Sequence, residues 1–413
     1  MALPLVTVVT PSFNQGHFIR ATIESVLSQD YPHVEYLIKD GGSTDETAAV
    51  ASEYSSRLTF VSEKDSGQSE AINKGFREAQ GSIVSWLNSD DLYLPGAIRT
   101  AVEGFGRNPQ AGAVYGEGYL LDREGRVSGR FPWTEPPNLW KLVHLSDYIL
   151  QQTVFFRKDV VNHLGYLDET LHYTMDWDLL IRIGMKCPLE YIPEYMGCLR
   201  EYPEAKTFTG GTRRARELHA VLRRYTGMRL PPGSIVYGLD AYQQSWCARL
   251  NRFLSGKCPP LAAWLQRGIR TAAQSVIDHT VKHSQGLYSD GWAGPLLRLM
   301  LPANSGPVWI EGVLPDWGAV FRGQTITVEA NGVPAGKYPV GFGEFQFRVD
   351  PPPETHGQVL NLKLRASRYR VPSRIPSRGD RRRLAYQFRG IRCGELLESP
   401  GLGKLSTQAA TAS

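Results

Sequence analysis

The first part of the chain alternates short apolar runs with stretches whose apolar residues recur at helical spacing. Residues 6–9 form an apolar, β-branched run, and residues 16–28 then place apolar side chains three and four positions apart. Further strand-like and helix-like segments alternate at 34–38, 45–55, 58–61, 68–79 and 83–87. Strands that alternate with helices of this length predict βαβ units, and hence an α/β fold with a mainly parallel sheet.

The pattern changes twice beyond residue 125. Residues 126–215 lose the alternation and are rich in aromatic residues and turns, and the segment up to 303 has largely helical spacing. From 305 to 392, short strands are separated by Gly, Pro and Asn, which is typical of a small β-sandwich. We therefore predict four segments. They are an α/β domain over 1–215, a helical extension over 216–303, a sandwich over 304–393 and a flexible tail over 394–413.

Composition and charge narrow the class of protein. The chain has 413 residues, 42% of them apolar and 21% charged, which is ordinary for globular proteins and excludes fibrous or wholly disordered chains. A net charge of only +5 argues against nucleic acid as a partner. The five cysteines are scattered without CxxC spacing, so we expect neither a zinc site nor a disulfide framework. With no secretory signal and no long apolar run, we predict a cytoplasmic location.

One stretch departs from this balanced charge. Residues 363–392 contain ten Arg and one Lys against a single acid, Asp380. Such a stretch suits anionic lipid head groups or an anionic glycan, although a solvated face of the sandwich explains it equally well. We therefore keep peripheral contact with the inner face of a membrane as a hypothesis for this region.

Polar clusters follow each of the first four predicted strands. They are TPSFN at 10–14, DGGSTD at 40–45, DSGQ at 65–68 and NSDD at 88–91. Each alone suits an ordinary turn or helix cap. Ligands of open α/β sheets bind beyond the carboxyl ends of the strands, so four such clusters in register predict a binding site at that edge.

The type of ligand follows from which motifs are missing and which are present. The first strand is not followed by GxGxxG, and the sequence has no GxxxxGK[ST], which disfavours dinucleotide oxidoreductases and P-loop NTPases. Asp90 and Asp91 after a buried strand suit a hard cation, because Mg²⁺ and Mn²⁺ prefer a few carboxylates completed by water and phosphate oxygens. A nucleoside diphosphate is the natural ligand of such a site.

These clusters together resemble the family 2 glycosyltransferases of GT-A fold, a Rossmann-like arrangement with a mainly parallel sheet. The resemblance covers about residues 1–215, with the blocks in family order. They are VTPSFN at 9–14, DGGSTDET at 40–47, DSGQ at 65–68, AINKG at 71–75, NSDD at 88–91, QTVFF at 152–156, GYLDE at 165–169 and MDWDLLIR at 175–182.

The resemblance implies roles for individual residues. It implies that Thr10, Pro11 and Asp40 hold the base and ribose of the donor, with Asp65 beside them. Asn88, Ser89 and Asp90 occupy the place of the family's DxD motif, where Asp90 would meet Mg²⁺ or Mn²⁺ and the diphosphate, and Asp91 is a further candidate metal ligand. Asp176 lies where the family has its catalytic base. The sequence departs from the pattern in having Asn88 for the first Asp of DxD and Met175 before the base.

Three nearby residues have two readings each. Lys206 suits either charge neutralisation of a diphosphate or a solvated basic loop. Trp177 suits either stacking on an acceptor sugar or the core, since it adjoins Leu179 and Leu180. Asp178 lies four residues before Arg182 on the predicted helix, so we expect an ion pair there rather than a catalytic role.

We therefore predict an inverting, metal-assisted glycosyltransferase. It would move a sugar from a nucleotide-diphosphate sugar to a glycan or lipid-linked acceptor, in the synthesis of bacterial surface polysaccharide. Asp176 would take the proton of the acceptor, and the metal would stabilise the leaving diphosphate. Two alternatives remain: a sugar nucleotidyltransferase, which would need a basic triphosphate loop that residues 11–16 lack, and a glycan-binding protein with a decayed GT-A domain.

Overall fold

A computed structural model describes residues 3–254, 259–288, 290–303, 305–371 and 382–393, so the predicted tail 394–413 lies outside it. The strands of the N-terminal part are β1 (Val6–Ser12), β2 (Val34–Asp40), β3 (Thr59–Ser62), β4 (Ile83–Trp86), β5 (Leu92–Tyr93), β6 (Ala113–Leu121), β7 (Val127–Arg130), β8 (Phe155–Arg157) and β9 (Leu189–Arg200). Its helices are α1 (Gly16–Leu27), α2 (Thr47–Ser52), α3 (Gln68–Glu78), α4 (Ala97–Arg107), α5 (Leu139–His144), α6 (Lys158–Leu164), α7 (Met175–Gly184), α8 (Lys206–Thr209) and α9 (Gly211–Thr226).

These strands form one sheet in the order β3-β2-β1-β4-β8-β6-β9-β5, with β7 paired to β6. Strands β1 to β4 are parallel, β8 is antiparallel to both of its neighbours, and β6 and β9 are again parallel. Ser12 at the end of β1 lies opposite Asp40 at the end of β2. The polar clusters predicted from the sequence therefore meet at one edge of the sheet.

Helices cover both faces of this sheet, which explains the uninterrupted apolar runs. Neighbouring residues of a strand point to opposite faces. Val8 and Val9 accordingly belong to two different buried clusters, one on each side. On the side of Val9, Trp86 stacks on Phe156 with ring centroids 5.4 Å apart. The predicted α/β class with a mainly parallel sheet is confirmed.

The α/β domain extends past the predicted boundary at residue 215. Leu218, Val221 and Leu222 of α9 are buried in the same cluster as Leu179 and Leu180 of α7. Since these residues complete the core beneath α7, α9 belongs to the α/β domain rather than to a linker. The helical extension is the antiparallel pair α10 (Pro232–Leu254) and α11 (Pro259–His283). Among the described residues, none of the helices has the length and apolar character needed to cross a membrane.

The C-terminal module is a β-sandwich, as predicted, but it begins earlier than residue 304. Its strands are β10 (Trp292–Ala293), β11 (Leu296–Leu301), β12 (Val308–Leu314), β13 (Thr325–Ala330), β14 (Val333–Pro339), β15 (Gly343–Val349), β16 (Leu360–Ala366) and β17 (Tyr386–Cys393). They form two four-stranded sheets, β10-β17-β12-β15 and β11-β16-β13-β14. Strands β10 and β11 precede residue 304 yet belong to these sheets, because their apolar residues face the sandwich core.

The sandwich also contacts the α/β domain. Asn138 and Gln285 exchange two side-chain amide hydrogen bonds of 2.9 and 3.0 Å. Met300 of β11 is buried in the core of the α/β domain, and the backbone N–H of Ala303 donates to the carbonyl of Met185 (2.9 Å). The module is therefore attached by specific contacts as well as by the chain.

Candidate active site

Asp40 ends β2 and organises the turn that follows it. Its Oδ2 accepts hydrogen bonds from the backbone N–H of Ser43 (2.8 Å) and Gly42 (3.2 Å) and from the hydroxyl of Ser62 (2.6 Å), and its Oδ1 accepts from the hydroxyl of Ser43. Gly42 adopts a φ of +86°, which a residue with a side chain rarely does. Asp40 is thus a buried carboxylate at the rim whose Oδ1 retains room for one more donor.

Asp65, three residues after the end of β3, lies against the same turn. A Cβ atom on Gly41 would lie only 3.0 Å from Oδ2 of Asp65, and the N–H of Gly41 donates to the carbonyl of Ser12 (2.8 Å). Burial raises the pKa of Asp65, although a hydrogen bond from the N–H of Gly67 opposes the shift. Asp40, Asp65 and the end of β1 therefore share one corner of the rim.

Thr10 and Pro11 are inside this corner rather than on its surface. The hydroxyl of Thr10 is fully buried and lies 3.0 Å from that of Tyr36, so its side chain faces the core. Pro11 is also buried. Beside them, the hydroxyl of Ser12 is buried without a hydrogen-bond partner among the described residues. Contact with a ligand at this strand would fall to the backbone and to Ser12, which belongs to the TPSFN cluster but was not predicted as a site residue.

Asp91, predicted above as a metal ligand, is buried and held by hydrogen bonds within the protein. Its oxygens accept hydrogen bonds from Gln152 Nε2 (2.6 Å), Asn88 Nδ2 (2.9 Å) and the backbone N–H of Arg200 (2.9 Å). Burial, and then the charge of Asp90, raise its pKa to about 8. These three bonds connect Asp91 to β9 and to residue 152 and so hold the loop at 88–91 in place.

Asp90 points away from this network. Its Oδ2 accepts a hydrogen bond from the hydroxyl of Tyr202 (2.7 Å), and its carbonyl accepts one from Arg200 Nε (2.8 Å). Burial raises the pKa of Asp90, while Tyr202 and the Arg200 guanidinium oppose the shift. The rest of that guanidinium donates to backbone carbonyls at 122 and 123. Arg200 therefore holds the loop in place, and Ser89 within the loop is buried.

A chain of hydrogen bonds leads from this loop towards α7. Lys206 Nζ donates to Oε1 of Gln68 (2.7 Å), and Nε2 of Gln68 donates to Oδ1 of Asn88 (2.7 Å). Burial lowers the pKa of Lys206, and the charges of Asp176 and Glu217 partly offset this. Lys206 is therefore a half-buried cation between the loop at 88–91 and the start of α7, not a solvated basic residue. Gln68 was missed as a link, although it belongs to the DSGQ motif.

Asp176 stands in the first turn of α7, where its Oδ1 accepts the backbone N–H of Trp177 (2.8 Å). Burial raises its pKa, and the charges of Arg214 and Lys206 oppose the shift. A second carboxylate, Asp147, is close enough that its pKa rises to about 8, through burial and then through repulsion from Asp176. Asp147 had no signal in the sequence, because 29 residues separate it from Asp176.

The N-terminus of α7 is held by Glu217 of α9. The carboxylate of Glu217 accepts hydrogen bonds from the backbone N–H of His172 (2.9 Å), Tyr173 (2.6 Å) and Thr174 (2.9 Å), and from the Thr174 hydroxyl (2.9 Å). Burial would raise the pKa of Glu217, but these bonds outweigh it and lower the pKa. A carboxylate placed there satisfies orphan N–H groups and suits the helix dipole.

The two residues after Asp176 are structural. Trp177 is only 3% exposed, and its indole N–H donates to the carbonyl of Leu142 (2.7 Å), so its side chain lies in the core. The predicted ion pair of Asp178 is confirmed. Its Oδ2 accepts from Arg182 Nε (2.8 Å), and its Oδ1 accepts from the hydroxyl of Tyr225 (2.5 Å).

The comparison with known families agrees with this arrangement. The family model described as "Glycosyl transferase family 2" matches residues 7–163. This range covers β1 to β8 and includes the polar clusters at 10–14, 40–45, 65–68 and 88–91. Residues 7–163 are therefore similar to family 2 glycosyltransferases, which confirms the resemblance seen in the sequence.

Several curated proteins are similar to somewhat less than half of the chain. An uncharacterized glycosyltransferase of Rickettsia bellii is 28% identical over 194 residues, covering 44% of this chain and 27% of its own length. Chondroitin synthase of Escherichia coli is 27% identical over 194 residues, covering 46% and 28% respectively. A PGL/p-HBAD biosynthesis glycosyltransferase of Mycobacterium tuberculosis is 27% identical over 187 residues, covering 44% and 70%. The matches with the first two proteins thus span little more than a quarter of those proteins.

Comparison with solved structures gives matches of lower sequence identity. A mannosyltransferase from Pyrobaculum calidifontis, solved with GDP-Man and Mn²⁺, is 19% identical and has a TM-score of 0.44, covering 68% of this chain and 85% of its own. TarS 1-349 of S. aureus, solved with UDP-GlcNAc, is 16% identical and has a TM-score of 0.44, covering 69% and 93%.

Proposed function

We propose that the protein is an inverting glycosyltransferase that uses a nucleoside-diphosphate sugar and transfers the sugar to a glycan or lipid-linked acceptor. The observation that carries this proposal is the hydrogen-bonded chain from Lys206 through Gln68 to Asn88. This chain of hydrogen bonds joins the acidic loop at 88–91 to the neighbourhood of Asp176. Asp90, which would bind the diphosphate through a metal, and Asp176, which would accept a proton, therefore belong to the same edge of the sheet. Relatives named for chondroitin synthesis and for PGL/p-HBAD biosynthesis support a role in bacterial surface glycans.

The corner formed by Asp40 and Asp65 suits the nucleoside part of the donor. The free position on Asp40 Oδ1 accepts a hydrogen bond from a base N–H or a ribose hydroxyl, and the unpartnered hydroxyl of Ser12 lies beside it. Because the side chain of Thr10 faces the core, we assign Thr10 and Pro11 a role through their backbone only.

The acidic loop fits a weakly held divalent cation. Among the described residues, the Tyr202 hydroxyl alone donates from a side chain to the carboxylate of Asp90, whereas three donors hold that of Asp91. The described residues contain no group of three or more His, Cys, Asp or Glu side chains placed to hold a metal. Mg²⁺ or Mn²⁺ at Asp90 would take most of its ligands from water and the diphosphate, and would stabilise negative charge on the leaving group.

Asp176 is suited to act as the base in an inverting displacement. The acceptor hydroxyl gives its proton to Asp176 while its oxygen bonds to the anomeric carbon, and the bond from that carbon to the diphosphate oxygen breaks. Arg214 and Lys206 favour the ionised form of Asp176. Burial, and then the charge of Asp176, raise the pKa of Asp147 to about 8.

Replacement of the base tests this proposal. We expect Asp176→Asn to bind nucleoside diphosphate normally in calorimetry and to lose about 10²–10⁴-fold in turnover, the usual contribution of a general base. Asp159→Asn, at an exposed position of α6, is the matched control and should behave as the wild type. Turnover within threefold of the wild type in Asp176→Asn would remove Asp176 from the mechanism.

The metal is tested separately by binding. We expect Mn²⁺ to bind weakly to the free protein and much more tightly in the presence of nucleoside diphosphate. The Asp90→Asn variant should lose this tighter binding. Tight Mn²⁺ binding without nucleotide would contradict a site built on one carboxylate. Full activity in EDTA, abolished by Lys206→Ala, would show that the lysine takes the place of the metal.

The cytoplasmic location and the membrane contact at 363–392 stay proposals. Several described charges of this stretch are already paired: Lys363 lies 4.0 Å from Glu329, Arg382 lies 2.7 Å from Asp290, and Arg392 contacts Glu311. Residues 372–381 lie outside the described part of the chain. The pairing reduces the charge that this face would offer to an anionic surface.

A further inference from the structure

The helical pair α10 and α11 presents large apolar side chains to solvent. Tyr242 is 60% exposed, Trp246 52%, Leu261 44% and Trp264 69%. A helix rises about 1.5 Å per residue, so Trp246 and Trp264 lie within about 12 Å of the end of the pair where α10 and α11 connect. Exposed aromatic residues grouped at one end of a helical pair are unusual for a surface that meets only water.

The packing between the two helices explains why these side chains point outward. Where burial is described on this pair, the buried residues are small: Gly233, Cys247, Ala262 and Ala273. Small residues let the helices approach closely, and the bulky residues are then left on the outer surfaces. On α10, Tyr242, Trp246 and Arg249 follow one another at spacings of four and three, so they lie along one face of the helix.

Charge at this end of the pair has a single sign. From residue 241 to residue 277 the sequence has no Asp or Glu, whereas it has five basic residues, four of which are described: Arg249, Arg252, Arg267 and Arg270. All four are exposed. The guanidinium of Arg249 lies 5.9 Å from the centre of the Trp246 ring. The nearest acids in sequence, Asp240 and Asp278, lie about 20–30 Å from the connecting end, by the rise per residue.

We propose that this end of the α10–α11 pair docks on the surface of a bilayer that contains anionic phospholipids. Tryptophan and tyrosine favour the head-group region, and arginine is attracted to anionic lipid, so the two features together match that surface. A second copy of the same face would bring like charges together without any acid to pair them. An acidic polymer would use the arginines but leave the aromatic residues in water.

The pair lies on the membrane rather than in it, because neither helix is long and apolar enough to cross. The proposal places membrane contact on a different element from the basic stretch at 363–392. It concerns attachment only, so it does not depend on the proposed reaction.

Vesicle binding by the full chain tests this surface. We expect the protein to sediment with vesicles of phosphatidylglycerol and phosphatidylcholine but weakly with phosphatidylcholine alone. The double variant Trp246→Ser/Trp264→Ser should lower the partition coefficient by about tenfold or more, since it removes two indoles that become buried when the protein binds the vesicle. Arg249→Gln/Arg252→Gln/Arg267→Gln should lower it on the order of 100-fold, at about fivefold per arginine. Trp133→Ser is the control, because Trp133 is 64% exposed but lies in the α/β domain.

Other outcomes overturn the proposal. These are equal vesicle binding by the tryptophan variant and the wild type, no binding by the wild type, or tight binding to heparin with no binding to vesicles. If light scattering shows an oligomer that the tryptophan variant dissociates, the face joins copies of the chain instead. Circular dichroism and thermal unfolding establish that each variant is folded.

Discussion

Glu217 offers a direct way to test how the fold positions Asp176. Its carboxylate accepts four hydrogen bonds from residues 172–174, immediately before α7, while Glu217 itself belongs to α9. In Glu217→Gln, one carbonyl oxygen can still serve Tyr173 and Thr174, but the new amide N–H₂ would face the N–H of His172. One charge-assisted hydrogen bond is lost and the others weaken.

The size of the effect follows from these bonds. A hydrogen bond to a charged group contributes about 1.5–3 kcal/mol, so we expect Glu217→Gln to lower the free energy of unfolding by about 2 kcal/mol. In a domain of this size that is a fall in Tm of about 4–8 °C. Asp176 lies two residues beyond Thr174, and a misplacement of about 1 Å can cost on the order of 10²-fold in rate. We therefore expect kcat to fall 10- to 100-fold, by the same estimate, with the donor KM little changed.

The pH dependence separates this role from loss of packing. The pKa of Glu217 is lowered in the folded protein, so its stabilisation is present above the ordinary glutamate pKa and is lost as pH falls through the folded value. The difference in Tm between the wild type and Glu217→Gln should therefore shrink at acid pH. Glu103→Gln, at an exposed position of α4, is the control. An unchanged Tm and kcat, or a loss confined to donor affinity, would refute the reasoning.

Two further substitutions test single statements about the site. The pKa of Asp147 is raised to about 8, so its contribution to stability falls as pH rises from about 4 to about 8, and Asp147→Asn should gain in Tm relative to the wild type over that range. A constant difference between pH 5 and pH 8 would contradict this assignment. Trp177→Ala removes a buried indole and should cost about 3–5 kcal/mol, measured by denaturant unfolding. A normal stability with a raised acceptor KM would instead restore the sugar-stacking role.

The parts of the fold that could be predicted are those in which local pattern and burial agree. The strands β1 to β4 and helices α1 to α3 follow the predicted segments closely. The domain boundaries were harder because they depend on tertiary partners. Helix α9 has a polar sequence with a narrow apolar face, and only the core beneath α7 shows that it belongs to the α/β domain. Strand β11 lies just after two long helices, and its pairing with the distant β16 assigns it to the sandwich.

The candidate site, too, could be predicted from the sequence only in part. The polar clusters could be located because parallel strands bring their carboxyl ends to one edge. The sequence could not show which carboxylate is available to a ligand, because Asp90 and Asp91 are adjacent and differ only in their partners. Asp90 is bonded to Tyr202, whereas Asp91 is bonded to Gln152, Asn88 and Arg200. The same holds for Asp147 and Glu217, whose contacts with the start of α7 come from elements far away in sequence.

The position of β11 changes where the chain can be cut. Ending the chain after residue 303 keeps β11 but removes β16, its pairing partner, and so leaves Leu297, Leu299 and Leu301 without the sandwich core that buries them. We expect that truncated chain to aggregate. Ending it after Ser284 removes β11 as well, and costs the amide pair between Asn138 and Gln285 and the buried Met300. Losing these contacts costs less free energy than exposing an apolar strand to water. The shorter chain should therefore be monomeric in gel filtration and should bind nucleoside diphosphate in calorimetry. If 1–303 is monomeric and 1–284 aggregates, the α/β domain needs β11 for its own core, and the sandwich is not a separate folding unit.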